Sequence, residues 1–232
     1  MTLTAIVTGA SRGLGLELTK ALAQRGWRVV IDARDLPSVP GELAESGRVV
    51  ALAGDVADQT HRRALVEAAG ERIDLLANNA SELGPSPLPA LRDLSFPTLE
   101  RILRVNAVAP LALTQLVLPR MPSGGTILNV SSDAAVEGYE GWGGYGASKA
   151  ALDQLSRVLA VEHPELSVYA VDPGDMRTRM HQHAFPGEDI SDRPPPSERV
   201  PGLLALIDGE LPSGRYRAAE LVPVPETAAA GR

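Results

Sequence analysis

Tyr145 and Lys149 stand four residues apart in Tyr145-Gly146-Ala147-Ser148-Lys149, so on a helix a phenol and an ammonium share one face. A free tyrosine ionises at about pH 10, too high for efficient acid–base work at neutral pH, and a neighbouring ammonium favours the phenolate and lowers that value. The pair reads as a proton donor or acceptor with its own electrostatic tuning. The same spacing also occurs on ordinary helices without any chemical role, so the weight comes from its companions. Ser131 and Ser132 end an apolar run, where a hydroxyl can bind a substrate oxygen. A Gly-rich link carrying Glu137, Tyr139 and Trp142 leads from them to Tyr145, and these three are expected to face a pocket. Asn106 lies within the otherwise apolar "RVNAVAP". A buried amide needs partners, and a backbone- or water-linked proton path to Lys149 would supply them.

A second constellation is Thr8-Gly9-Ala10-Ser11-Arg12-Gly13-Leu14-Gly15, placed between an apolar run and a helical pattern. Glycines let a backbone turn tightly against a pyrophosphate, and the following helix N-terminus offers unpaired N–H groups and a positive dipole end. The same turn also joins strands to helices with no ligand. What it would bind depends on the next apolar run, "VVIDARD". A carboxylate there would take a ribose 2′-hydroxyl and favour NAD, whereas arginine would pair with a 2′-phosphate and favour NADP. Asp32 and Arg34 compete for this place; Arg12, a second cation in the Gly turn, tips the reading to NADP(H).

Those residues need a frame, and the chain alternates β-branched runs with helical stretches, the pattern of parallel βαβ units. Strands are expected at 3–8, 28–32, 48–53, 73–78, 126–131, 167–171 and 216–222, and helices at 13–25, 59–71, 97–119 and 144–162. Segment 35–45, with Pro37 and Pro40, allows at most a short helix. Segment 177–199 reads as a long polar, Pro-rich loop at the carboxyl edge of the sheet, where ligands bind in such folds. A substrate lid is therefore expected at 176–200, and a frayed tail at 223–232.

A length of 232 residues suits one domain. The net charge of −7 argues against nucleic acid, which demands a concentrated cationic face. With no cysteine, neither disulfides nor thiolate chemistry contribute. The close pair His181 and His183 reads as loop residues rather than metal ligands, so no metal is expected. No apolar run is expected to reach membrane-spanning length and no signal peptide is visible, which points to a cytoplasmic protein.

Taken together, these motifs resemble the short-chain dehydrogenase/reductase superfamily in its compact single-domain branch. The resemblance runs in order along roughly residues 3–180: Thr8–Gly15, Asp55-Val56, Asn78-Asn79-Ala80, Asn106, Ser132, Tyr145 with Lys149, and Pro173-Gly174 through Thr178. It implies a three-layer Rossmann-type doubly wound parallel sheet of about seven strands across 1–232, and reversible NADP(H)-dependent interconversion of a carbonyl and an alcohol. Tyr145 would move the proton, and Ser132 would polarise the carbonyl. Lys149 would hold the nicotinamide ribose and tune Tyr145, while Asn106 would anchor a water leading to Lys149. Gly9, Ser11, Arg12, Gly13, Leu14 and Gly15 would cradle the pyrophosphate. Asp55 and Val56 would meet the adenine, Asn79 and Ala80 the adenosine ribose, and Pro173, Gly174, Met176 and Thr178 the carboxamide end. Ala33 falls at the NAD-selecting acidic position and Arg34 at the next, again favouring NADP. Three departures stand out: Ser81 where glycine is usual, a Pro-rich stretch after Thr178, and "SGRYRAAELVP" in place of the common ending. The two long helices, rich in small and aliphatic residues, imply a homodimer or homotetramer. The rival from another class is a catalytically idle NADP(H)-binding sensor or scaffold, and an epimerase or dehydratase of this fold would need a longer chain.

Overall fold

The computed structural model describes residues 2–34, 41, 43, 47–209 and 211–221. In chain order the principal elements are β1 (Thr4–Val7), α1 (Gly13–Gln24), β2 (Arg28–Ala33), β3 (Val49–Ala53), α2 (Gln59–Ala69), β4 (Leu75–Asn78), α3 (Phe96–Leu103), α4 (Ala109–Val117), β5 (Thr126–Val130), α5 (Gly143–Glu162), β6 (Ser167–Asp172), α6 (Arg179–Ala184), α7 (Val200–Asp208) and β7 (Gly214–Arg217). The seven strands form one sheet in the order β3-β2-β1-β4-β5-β6-β7, parallel throughout. From β1 the chain winds outward to β3 and returns to β4 on the other side of β1. This reversal leaves a crevice beyond the carboxyl ends of β1 and β4, the usual ligand position in such sheets.

Strands covered on both faces are apolar at every position rather than alternating. Side chains of Val7, Val29, Ile31 and Leu75 pack beneath Leu14, Leu18 and Leu22 of α1 and Leu203 and Leu206 of α7. Their neighbours Ile6, Val30 and Leu76 point the other way, onto Leu65 and Val66 of α2 and Leu113 and Val117 of α4. The two-residue period of the strands thus builds both halves of a three-layer fold.

Three expectations change. The last strand spans Gly214–Arg217 rather than 216–222, because Ala218–Glu220 coil into a 3₁₀ turn tucked against Gly202 of α7, where a Cβ would collide with the Ala218 backbone. Val222 and the expected tail at 223–232 lie outside the described residues, as does segment 35–45 apart from Gly41 and Leu43. Segment 177–199 is irregular only in its middle, 185–195: Thr178 caps α6 by accepting from His181 N, and Pro196–Arg199 form a 3₁₀ turn, so His181 and His183 are helical. Finally, residues 96–120 make one continuous 25-residue helical run, long and apolar enough by composition to cross a membrane, contrary to the sequence expectation. Half of its most apolar window is buried within the fold, which accounts for that composition.

Candidate active site

The Gly turn is built from beneath. Gly9 has φ +64, and a Cβ there would approach Ala80 Cα to 2.7 Å, so only glycine allows the chain to pass this close to the end of β4. Thr8 Oγ1 accepts from Asn79 N and Ala80 N, both at 3.0 Å, and Asn79 Nδ2 donates to Thr8 O (2.8 Å) and Gly9 O (3.1 Å). The Asn79 amide therefore locks the turn to β4, although the residue also lines the cleft. Asp32 is 2% exposed and turned inward: Oδ1 accepts from Gly9 N, and Oδ2 lies 3.3 Å from His61 Nε2. The alignment of that imidazole falls short of a hydrogen bond, so the contact is one of proximity. Asp32 thus supports the turn from beneath. The first turn of α1 contains no acidic residue and no side-chain cap, and its N–H groups face the cleft beside Gly13 and Leu14.

The cleft of about 960 Å³ runs from Arg34 and Arg12 past the Gly turn to Tyr145. At the Arg34 end the guanidinium is mostly exposed, 3.5 Å from the Glu82 carboxylate. Asp55 accepts from Ala57 N and pairs with Arg101 of α3 at 2.7 Å. Burial pushes its carboxyl up, but the Ala57 and Arg101 hydrogen bonds and the nearby arginines outweigh burial and hold it low. Val56 is buried, and its carbonyl accepts from Arg62 at 2.6 Å. Ser11, Gly15 and Ala80 complete this region, with Ser11 and Ala80 on the cleft wall and Gly15 packed against Asn79. Pro173, Gly174, Met176 and Thr178 follow β6 along the opposite wall.

At the far end Tyr145 sits on the first turn of α5, 8% exposed, lining the cleft together with Ser132 and Ser81. Ser132, just after β5, donates to Asp133 Oδ1 at 2.8 Å, and its carbonyl accepts from Arg215 Nη2 of β7 at 2.9 Å. Arg215 also pairs with Asp153 (3.0 Å) and reaches Asp172 (3.5 Å), so the atypical C-terminal strand buttresses the serine. Lys149 is 1% exposed, donates to Val130 O at 2.8 Å, and stands 5.5 Å from the Tyr145 ring centre. Trp142 and Phe185 pack edge to face and tilted around this end, at 5.7 Å from Tyr145 and 5.9 Å from one another respectively.

Burial dominates the titration of both groups. It pushes the Tyr145 hydroxyl up to about 12, opposed by Ser81 and Ser132 and helped by Asp133 and Asp172. It pulls the Lys149 ammonium down to about 8, against Asp153. The expected lowering of Tyr145 by Lys149 is thus reversed, because the ammonium lies over the ring and bonds a carbonyl while both groups lose water.

Asn106, fully buried, occupies the π-helical turn Arg104–Val108 between α3 and α4. Such wide turns often mark functional positions. Its Nδ2 donates to Glu82 O (2.8 Å) and Ser148 Oγ (2.9 Å); its Oδ1 accepts from Glu82 N (2.7 Å) and Ser81 Oγ (3.2 Å). These partners satisfy all of the hydrogen-bonding positions of the amide. Sequence reasoning missed Glu82, Arg101, Asp133 and Arg215; only the odd C-terminal wording signalled the last.

Comparison with known proteins agrees with this geometry. The short chain dehydrogenase family profile matches residues 3–189. The chain is 35% identical over 173 residues to the short chain dehydrogenase asqE of Emericella nidulans, covering 68% of this chain and 64% of that one, so it spans just under two thirds of that relative. It is 30% identical over 246 aligned positions, 96% of this chain and 91% of the other, to a benzil reductase, (S)-benzoin forming, of Saccharomyces cerevisiae. A short chain dehydrogenase from Shigella flexneri, solved in complex with NADP, superposes with a TM-score of 0.85 at 27% identity, over 93% of this chain and 96% of that one. The chain belongs to the short-chain dehydrogenase/reductase family of oxidoreductases.

Proposed function

We propose that the protein interconverts a ketone or aldehyde and an alcohol with NADP(H), Tyr145 moving the proton. The observation that carries this is that Tyr145, Ser132 and the buried Lys149 line one end of the same long cleft. The cleft suits a dinucleotide: the uncapped N-terminus of α1 and the close-packed Gly9 make a cradle for a pyrophosphate. Arg12 and Arg34 at one end favour a 2′-phosphate, and Asp32 is occupied beneath the turn. The Shigella relative holding NADP supports the same choice.

A bound nicotinamide supplies or accepts the hydride. At neutral pH Tyr145 keeps its proton, since burial holds it at about 12, and so serves as the acid for carbonyl reduction. Ser132 offers its hydroxyl to the carbonyl oxygen, steadied by Arg215 on its own carbonyl. Lys149, protonated below about pH 8, provides the positive charge that favours the phenolate left behind, and lies within the cofactor cleft to hold a ribose. Asp55, Val56, Asn79 and Ala80 frame the adenosine end, and Pro173 through Thr178 the nicotinamide end. Residues 176–200 form the lid, with Phe185 resting against Trp142. Leu83, Leu88, Trp142 and Phe185 surround Tyr145, favouring apolar or aryl carbonyls, in keeping with the benzil reductase relative.

The test is a panel of ketones and aldehydes, headed by aryl diketones, with NADPH and NADH. Sustained NADPH consumption with at least one member is expected; stoichiometric binding without turnover on any would leave the idle scaffold. Assembly as a homodimer or homotetramer is supported by Val158 and Val161 on one face of α5 and Val108 between α3 and α4, all exposed. Light scattering should give at least twice the 24.4 kDa chain mass.

A further inference from the structure

A serine hydroxyl has one hydrogen to give and two lone pairs to offer, and at Ser132 most of that capacity is spent on its own turn. Its Oγ donates to Asp133 Oδ1 at 2.8 Å and accepts from Ala134 N at 3.2 Å, which leaves one lone pair for the cleft. Asp133 is fixed in its place. Its Oδ1 also accepts from Ala134 N at 2.8 Å, and its Oδ2 accepts from the Tyr139 hydroxyl at 3.1 Å. The 3₁₀ turn Asp133–Ala135 that carries these groups is pressed against α5. A Cβ on Gly146 would meet Ala134 O at 2.6 Å, so glycine lets the turn come this close to the residue after Tyr145. Ser132, Asp133 and Tyr145 all line the cleft.

Resting on the reading that Tyr145 and Ser132 meet the substrate oxygen, we infer that Asp133 is a positioning residue that turns the Ser132 hydrogen away from that oxygen. The site thereby binds the alcohol in preference to the ketone. A carbonyl oxygen can only accept. It takes a hydrogen bond from the Tyr145 hydroxyl, but at Ser132 it faces a lone pair until the serine leaves Asp133. Leaving is costly, because a hydrogen bond to a charged carboxylate is about twice as strong as one to a neutral carbonyl. An alcohol oxygen accepts from Tyr145 and donates its own hydrogen to the Ser132 lone pair, so the serine need not move. The bias acts on binding alone: no bond within Ser132 or Asp133 breaks, and the equilibrium between free ketone and free alcohol is untouched. During reduction the product alcohol is therefore held more tightly than the ketone it came from.

The test uses the best ketone of the panel and the alcohol it yields, in the two pairings that cannot react. The ketone is titrated onto the protein with NADP⁺ bound, and the alcohol onto the protein with NADPH bound. Asp133→Asn keeps the shape of the side chain and removes its charge, whereas Asp133→Ala removes the acceptor altogether. Both should tighten the ketone about tenfold and leave the alcohol within about twofold, so the ratio of the two dissociation constants falls about tenfold. In a Ser132→Ala background the same substitutions should leave that ratio unchanged, because Asp133 acts through the serine hydroxyl. Circular dichroism and NADPH affinity check that each variant is folded. An unmoved ratio in folded Asp133→Asn, or an equal shift in the Ser132→Ala background, overturns the inference. Failure of the underlying reading is separate, since it shows as turnover surviving in Tyr145→Phe.

Discussion

Lys149 is held almost without water, and its ammonium falls from 10.5 to about 8, burial being the larger influence and Asp153 opposing it. Below about pH 8 both folded and unfolded chains are protonated, and folding bears the full cost of burying the charge. Between about 8 and 10.5 the unfolded chain binds a proton that the folded one lacks, so stability rises with pH; above 10.5 the cost is gone. At about 1.4 kcal/mol per pH unit, this penalty is about 3 kcal/mol at neutrality, and most of it is relieved between about pH 7 and about pH 10. Lys149→Met keeps the stem's volume and removes the titration. Urea unfolding of both proteins should therefore give curves of stability against pH that converge or cross, the unmodified protein gaining about 2–3 kcal/mol on the variant over that range. Tyr145, raised rather than lowered, costs stability only as pH passes from 10 towards about 12, and does so in both proteins. Parallel curves would refute the argument, placing Lys149 in contact with water or with an unrecognised counter-charge.

Three further outcomes follow from the charged residues. Arg34→Asp should weaken NADPH about ten- to hundredfold while sparing NADH, and Glu82→Gln, which frees Arg34 from the carboxylate 3.5 Å away, should tighten NADPH severalfold; fluorescence titration with both nucleotides measures each. Arg215→Met strips Asp153 and the Ser132 carbonyl of their partner, so urea unfolding should show a loss near the low end of about 3–5 kcal/mol, with turnover falling more than NADPH affinity.

Legibility in the sequence follows burial. The inner strands β1, β2, β4, β5 and β6 could be read because double-sided burial makes them largely apolar, and the edge strand β3 because its five residues are all apolar although alternate ones are exposed, whereas β7, "GRYR" at the other edge, has side chains only half covered and carries no such signature. The six-residue α6 was hidden in a polar run because one cap and a few apolar contacts hold it. Chemical residues adjacent along one helix, Tyr145 and Lys149, could be paired from spacing alone. Contacts across the fold could not: Asp32 reaches Gly9 over a separation of 23 residues, and Arg215 reaches Ser132 over 83. The direction of the Tyr145 shift was missed for a related reason, since spacing reveals the ammonium and conceals how deeply both groups are buried. Asn106 and Ser81 were visible as oddities, and only three dimensions joined them.

The central claim, that Tyr145 delivers the proton, meets its most direct test in single-turnover NADPH oxidation by Tyr145→Phe on the best ketone of the panel, with NADPH affinity titrated on the same protein. Removing the hydroxyl alone should slow the chemical step by about 10²–10⁴ while leaving NADPH affinity within about twofold. A rate near that of the unmodified protein, with NADPH bound normally, would contradict the account.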